Sequence, residues 1–265
     1  MAQKDSLRIT IVTVCRNSET FLAETIESVT GQTYPNLEYI IIDGASTDGT
    51  LGIIKQYEPK IDTWVSEPDS GMYEAINKGL QLATGDYILI LNSDDRLTNS
   101  DTIQEAVSII GNNRPDYFYG NLIKFQDEKY RKVKLFTVTF DQLLMSTHGT
   151  FISHPCFFIS AKLNQVLGGY DSSYLYAADY DYILRALAVP GCKGQHIDLF
   201  VSHFRLHNNN AYNRALGKIN EEREKILTQH GYYQQPRIKR LLSYYTLWIY
   251  YKIINLGNRY KSLPV

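Results

Sequence analysis

Apolar and polar positions along the first hundred residues switch between two periods, and the switches predict the elements. The stretch 8–17 (RITIVTVCRN) is β-branched and little broken by charge, which predicts a strand ending in polar residues. From Ser18, SETFLAETIESVTGQ sets Phe21, Leu22, Ile26 and Val29 at helical spacing, with Ser18 as N-cap and Gly31 as the stop. LEYIIIDGASTDGT predicts a second strand over 39–42 and then a Gly-rich loop. TLGIIKQY reads as a short helix, IDTWVSEP as a third strand, and SGMYEAINKGLQLATG as a helix capped by Ser70 and ended near Gly85. The fourth strand, 87–91 in GDYILILNSDD, has no polar residue in its run and is therefore expected to be buried on both faces. Repeated βαβ units of this kind predict an α/β fold, a central, mostly parallel sheet flanked by helices.

The middle of the chain reads as further strands in YFYGNLIKF, KYRKVKLFTV and TFISHPCFFIS. Residues 174–188 (YLYAADYDYILRALA) predict a helix with Asp179 and Asp181 on its first turns, and beyond Phe204 basic and aromatic helices take over. No internal repeat or low-complexity linker is present.

In open α/β sheets, ligands sit beyond the carboxyl ends of the strands. Those ends carry Cys15, Arg16 and Asn17, then Asp43, then Glu67 and Asp69, then Asp94 and Asp95. Two adjacent carboxylates repel, and burying them unpaired is costly. An Asp cluster without a Cys or His ligand set suits a hard divalent cation, Mn²⁺ or Mg²⁺, of the kind that bridges phosphate oxygens. SDDRLTNSDT also reads as a turn that caps the next helix, and spacing alone does not separate the two. The sequence has no G-x-G-x-x-G, no P-loop lysine in GASTDGT and no G-x-S-x-G elbow.

Charge changes the picture of the tail. Of 27 Lys/Arg and 28 Asp/Glu, residues 205–265 hold eleven basic and three acidic, leaving sixteen and twenty-five for residues 1–204. The acidic part and the basic part nearly cancel to a net charge of −1. Cys15, Cys156 and Cys192 have no close spacing, so neither a disulfide framework nor a zinc knuckle is implied, and reduced thiols in a cytoplasmic protein are expected. The run 9–14 is too short for the apolar core of a signal peptide. Leu241 to Leu256 falls short of the roughly 20 residues that span a bilayer, and Lys252 interrupts it.

The ordered motifs TVCRNSETFLAETIESVTGQTYPNLEYIIIDGASTDGT, SEPDSGMYEAINKGLQLATGDYILILNSDD and AADYDYILRA together resemble the inverting family 2 glycosyltransferases of GT-A fold. The resemblance covers about residues 7–206 and points to bacterial enzymes that build O-antigen, capsule or exopolysaccharide. It implies a GT-A catalytic domain over 1–206, with a nucleotide-binding half (1–100) and an acceptor-side half (101–206), and a helical C-terminal extension over 207–265. It implies a nucleotide-sugar donor, with UDP favoured, and a glycan acceptor; the basic, aromatic tail would suit a polyprenyl-diphosphate-linked one. No nucleic-acid partner is expected.

Residue by residue, the resemblance has Asp43 hydrogen-bond the uracil or ribose, Val14, Arg16 and Asn17 line the same pocket, and Asp69 lie near the base or ribose. The family's D-x-D stands here as Asn92-Ser93-Asp94, followed by Asp95, so Ser93 and Asp94 fall to the nucleotide, and Asp94 and then Asp95 to the metal. Asp179 matches the general base, the carboxylate that takes the acceptor hydroxyl's proton. Arg185 is a candidate for phosphate or carboxylate contact, with a helix-surface salt bridge as the alternative. His203 and His207 in SHFRLHNNN have i, i+4 helical spacing, and His207 is the candidate to complete a metal shell, an ordinary loop histidine being the other reading. His148 and His154 flank the acceptor-side segment, and His154 is either an acceptor contact or a buried structural histidine.

The tail RIKRLLSYYTLWIYYKIINLGNRYK sets a polar stripe (Lys239, Ser243, Thr246, Tyr250) against an apolar face with Leu241, Leu242, Trp248, Ile249 and Ile253. Three partners fit that face: the inner surface of the cytoplasmic membrane, a second subunit in a homodimer, or the catalytic domain itself. Two rivals to the transferase reading are a nucleotidyltransferase, which needs a basic Gly-rich loop where CRNSETF has only Arg16, and a non-catalytic sugar-binding scaffold.

Overall fold

The computed structural model describes residues 6–126, 129–146, 152–207 and 215–262. The first half runs β1 (Ile9–Cys15), α1 (Leu22–Thr30), β2 (Leu37–Asp43), α2 (Thr50–Tyr57), β3 (Thr63–Ser66), α3 (Met72–Leu82) and β4 (Tyr87–Ile90). These strands lie in the order β3-β2-β1-β4, all parallel, with Cys15 level with Asp43 and Asp43 level with Ser66. Their polar ends are therefore flush, and every residue that follows a strand emerges on one rim. The core is dense enough that α3 meets β1 through Gly79, where a Cβ would run into Val12.

The second half is mixed. It comprises β5 (Arg96–Leu97), α4 (Thr102–Ile110), β6 (Tyr117–Gln126), β7 (Lys129–Val133), α5 (Phe140–Leu144), β8 (Phe157–Ser160), α6 (Ala161–Leu167), α7 (Ala178–Ala188) and β9 (Gly194–Arg205). β8 lies antiparallel between β4 and β6, and β7 pairs antiparallel with the far end of β6. β9 runs parallel to β6 and pairs antiparallel with β5, so Arg96 faces His203. That return carries the chain back to the carboxyl end of β4.

Two helices follow, α8 (Leu216–Gln229) and α9 (Arg237–Ile254), then β10 (Lys261–Ser262), which pairs with β7. α8 buries Ile219, Ile226 and Leu227, whereas α9 buries only Leu247. α9 is held by Tyr250 edge-on to Phe136 at 4.7 Å and by Lys239 to Asp141 at 2.9 Å. Just after it, Asn255 exchanges hydrogen bonds with the Lys134 backbone at 2.8 and 3.0 Å. Residues 134–141 thus take one flank of α9. Among the described residues, no helix is long and apolar enough to cross a membrane.

Several local expectations are corrected. α1 starts at Leu22 behind Phe21, and α3 behind Gly71, neither with a side-chain cap. Ser18 instead offers its carbonyl to Phe21 and Leu22, and the Ser70 amide donates to Glu74 at 2.8 Å. The helix of the AADYDY motif begins at Ala178, four residues later than its apolar spacing suggests. His154–Cys156 forms a 3₁₀ turn rather than strand. His203 sits in β9 and His207 just beyond it, so their spacing is not helical.

Candidate active site

The rim after β1 and β2 is built as two interlocked loops. The Asn17 amide donates to Ser46 Oγ at 2.8 Å, and Asn17 Oδ1 accepts from the Thr47 amide at 2.9 Å. Asn17 has φ 51° and Ala45 has φ 55°. The left-handed region is tolerated by Asn, but for Ala it costs about 1 kcal/mol or more, which the surrounding bonds must offset. Asp43 organises this loop from below. It is fully buried and accepts from the Ser46 amide (3.0 Å), the Ser46 hydroxyl, Ser66 Oγ (2.7 Å) and, at 3.7 Å, the Cys15 thiol. Its carboxylate is enclosed by its own loop rather than presented at the surface. Val14 is buried in β1, while Arg16 is exposed beside Gly44. Asp69, whose Oδ1 accepts from the Gly71 amide at 3.1 Å, lies so close over Gly44 that a Cβ there would strike its carboxylate. Arg16, Asn17 and Asp69 are therefore brought together.

At the end of β4 the two adjacent carboxylates part ways. Asp95 is 1% exposed and accepts from the Arg205 amide at 3.0 Å and from Asn92 Nδ2 at 3.3 Å. Burial, then the Asp94 charge, pushes its carboxyl well above the ordinary range. Its expected place as second metal ligand is corrected: both oxygens face inward. The Asp94 side chain keeps 27% of its surface open and meets His207 Nε2 at 2.9 Å through Oδ2. Neither residue caps a helix, since α4 begins beyond Asp101.

Arg205 ties this turn down through its backbone and its guanidinium. Its guanidinium lies 4.1 Å over the Phe21 ring and 4.3 Å over Phe125, donates to the Asp94 carbonyl at 3.0 Å and pairs with Glu24 at 2.6 Å. His207 rests against Phe21 with ring centroids 5.3 Å apart. Ser93 reaches Ser18 Oγ at 2.9 Å, and Thr25 Oγ1 ties α1 to the Ser93 and Asp95 carbonyls at 2.9 and 2.6 Å.

Among the described residues no three His, Cys, Asp or Glu side chains converge as a ready cage. A two-residue set is what a divalent ion shared with a diphosphate needs, because such an ion keeps its other positions for phosphate oxygens and water. Asp94 Oδ2 and His207 Nε2, 2.9 Å apart, are the two side chains that would hold such an ion. Two residues upstream, Asn92 Oδ1 is buried with no hydrogen-bond partner. The donor set fits Mn²⁺ or Mg²⁺.

Asp179 stands half-buried on the first turn of α7. Its Oδ1 accepts from the Tyr180 amide at 2.8 Å and from the Tyr73 hydroxyl at 3.3 Å. Burial, then the Asp179 charge, pushes the Tyr73 phenol well above its ordinary value, so it stays a donor. Tyr73 stacks on Tyr170 and Tyr170 on Tyr182, with centroids 5.7 and 4.0 Å apart. His154 Nε2 lies 2.7 Å from the Tyr170 hydroxyl, and burial keeps its imidazole below the usual value against the pull of Asp179. His154 thus braces the aromatic stack behind Asp179. His148 lies outside the described residues.

Arg185 takes the salt-bridge alternative. Its guanidinium is taken up by Asp181 at 2.7 Å and by the Leu167 and Gly169 carbonyls at 2.9 and 2.8 Å. It pins the turn before Tyr170. Asp181 is buried and also meets His230 at 3.0 Å. The sequence does not single out Arg205, Tyr73 or Tyr170, and it gives α8 (Leu216–Gln229) as a helix without its contacts. A strand signal in GQHIDLFVSHFR would have placed Arg205 at a strand end, but nothing local in α8 marks its contacts.

A run of parallel strands with Arg16, Asp69 and Asp94 at its flush ends, a mixed second half and a separate carboxylate on α7 make up a GT-A fold. Residues 10–168 match the model of Glycosyl transferase family 2; the chain belongs to that family and is a glycosyltransferase. It is 30% identical over 192 residues to a PGL/p-HBAD biosynthesis glycosyltransferase of Mycobacterium bovis, covering 71% of this chain and 73% of that one. Over 92 residues it is 40% identical to the putative teichuronic acid biosynthesis glycosyltransferase TuaG of Bacillus subtilis, 33% of this chain and 36% of that protein. S. aureus TarS 1-349 in complex with UDP-GlcNAc has the same fold, with TM-score 0.65 at 15% identity, over 94% of this chain and 82% of that one. The chain spans 42% of a longer TarS crystal structure. Mannosyltransferase PcManGT from Pyrobaculum calidifontis, in complex with GDP-Man and Mn²⁺, aligns with TM-score 0.63 at 18% identity, over 92% and 74% of the two chains.

The Asp181 node gives the site an acid limit. Burial opposes the charged carboxylate, but the His230 and Arg185 hydrogen bonds outweigh it and hold the carboxyl below the ordinary range. A depressed carboxyl stabilises the fold above its unfolded value of about 3.9, and that stability is lost as pH falls through the lower folded value. Asp181→Asn is expected to lower Tm at neutral pH and to flatten the fall of Tm between about pH 5 and about pH 3, measured by differential scanning calorimetry. An unchanged slope would remove Asp181 from the acid limb.

Proposed function

We propose that this glycosyltransferase moves a sugar, with inversion, from a UDP-sugar to a hydroxyl of a lipid-linked glycan in bacterial surface polysaccharide synthesis. The observation that carries the reading is the contrast among four acidic side chains. Asp43 and Asp95 are enclosed and hydrogen-bonded on both oxygens, whereas Asp94 and Asp179 remain partly exposed. Arg16, Asn17 and Asp69 would receive the nucleotide, with Asp43 holding their loop in shape and Ser93 closing its floor against Ser18. Asp94 and His207 would hold Mn²⁺ or Mg²⁺, which when bound supplies positive charge to the departing diphosphate.

Asp179 acts on the other reactant. Among the described residues its hydrogen bonds fall on Oδ1, so Oδ2 is the oxygen assigned to accept the acceptor's proton. As the acceptor oxygen bonds the anomeric carbon, the bond from that carbon to the diphosphate oxygen breaks, UDP leaves, and the hydroxyl proton passes to Asp179. Tyr73 keeps the carboxylate oriented and excludes water behind it.

The lipid-linked acceptor gains support from α9. Ile238, Leu242, Tyr245, Ile249 and Ile253 recur at i, i+4, i+7, i+11 and i+15 and are all exposed, on the side away from buried Leu247. Arg237, Lys239, Lys252, Arg259 and Lys261 surround this stripe, and no acidic residue follows Glu224. Two such faces brought together in a dimer would repel, whereas an anionic lipid surface would attract both the stripe and its basic fringe.

Isothermal titration of UDP is expected to show binding in Mn²⁺ that is lost in EDTA and in Asp94→Ala, while Asp179→Asn binds UDP normally and loses about 10²–10⁴-fold in turnover. Full turnover by Asp179→Asn would remove it as the base. With phosphatidylglycerol vesicles the protein is expected to co-sediment at low salt, and Ile249→Asp to remain in solution. Equal sedimentation with neutral phosphatidylcholine vesicles, or concentration-dependent dimers without lipid, would contradict the membrane face.

A further inference from the structure

We propose that Glu222, on α8, is a positioning residue for the transfer reaction, acting by clamping the start of α7; the proposal rests on the reading of Asp179 as base. α7 has no cap of its own, because its N-cap is Ala177 and no side chain of the segment serves it. The preceding backbone instead turns three consecutive amides onto one distant carboxylate. Glu222 Oε1 accepts from the Leu175 amide, and Oε2 from the Tyr176 and Ala177 amides, each at 2.9 Å. Convergent backbone N–H groups form an anion-binding nest, and the adjoining helix terminus adds positive potential. A carboxylate there makes charge-assisted bonds, stronger than neutral ones.

Three further ties run from α8 and the residue after it. Tyr174 donates to Gln229 Oε1 at 2.6 Å, His230 meets Asp181 at 3.0 Å, and the Arg223 guanidinium lies 4.7 Å over the Tyr180 ring. The Glu222 bonds end two residues before Asp179, and the Arg223 contact one residue after it. Asp179 is therefore gripped on both sides by one helix. Arg185 fixes the opposite end of α7's register through Asp181 and the 167–169 turn. The Tyr73–Asp179 bond already stands at 3.3 Å, so a small slide of the first turn would break it. Displacement of a reacting group by about 1 Å can cost about 10²-fold in rate.

The test compares wild type, Glu222→Ala, Glu222→Gln and Asp179→Asn in the full chain. UDP release is followed with whichever of UDP-glucose, UDP-galactose and UDP-GlcNAc the wild type turns over fastest. UDP affinity is measured alongside by calorimetry, and amide hydrogen exchange over 175–180 by mass spectrometry. Glu222→Ala is expected to lower kcat by about 10- to 100-fold, with UDP affinity within twofold and faster exchange confined to 175–180. Glu222→Gln keeps one acceptor oxygen and is expected to fall between the two. Unchanged kcat in Glu222→Ala, or a loss that extends equally to UDP binding and to exchange throughout the chain, would overturn the proposal. Asp179→Asn separates the two readings: if it keeps full turnover, the base assignment fails, while the exchange result still reports on the clamp.

Discussion

The adjacency of Asp94 and Asp95 at the end of a fully buried strand is the constraint on which the rest of the site depends. Two carboxylates in sequence at such a place cannot both stay charged without cost, and burial with the Asp94 charge raises the Asp95 carboxyl well above the ordinary range, while Arg96 turns away toward Glu24. The donors that fix the pair arrive from more than a hundred residues downstream, when β9 returns along β6 and β5 and delivers the Arg205 amide to Asp95 and the Arg205 guanidinium to the Asp94 carbonyl. Phe21 and Phe125 hold that guanidinium between their rings, which fixes it in a setting of low polarity. Satisfied in this way, Asp95 anchors the turn, and Asp94 is left at its crest beside His207.

The acidic side chains of the site differ in what surrounds them, not in chemistry. Asp43 and Asp95 have their oxygens filled by backbone and hydroxyl donors and act as fasteners for loops. Asp94 and Asp179 stay partly open to solvent. Asp181, deep in α7, is paired with Arg185 and His230 and gives the helix its register. The same residue type therefore serves as scaffold or as reagent according to burial and saturation.

Much of this was legible in the sequence. The β-branched runs and Gly-bounded helices of the first ninety residues have strong local periods, and β1 to β4 and α1 to α3 follow them closely. The second half was less legible because its pairings are long-range: β9 is half polar on its exposed positions, and only its partners β5 and β6 make it a strand. His203 and His207 carry a helical interval by coincidence and lie at a strand end. Arg185 and Arg205 look alike in sequence, and only the fold assigns one to a turn and the other to the Asp94–Asp95 crest. Glu222 has no local signal, because its partners are backbone amides over forty residues away.

The claim that one carboxylate on α7 drives a single displacement at the sugar is tested most directly by the configuration of the product. Proton NMR of the sugar first released when the enzyme slowly hydrolyses an α-configured UDP-sugar without acceptor would give it. The account predicts the β-anomer at the earliest times, followed by ordinary mutarotation. Initial release of the α-anomer would mean two displacements or front-face attack and would contradict the account.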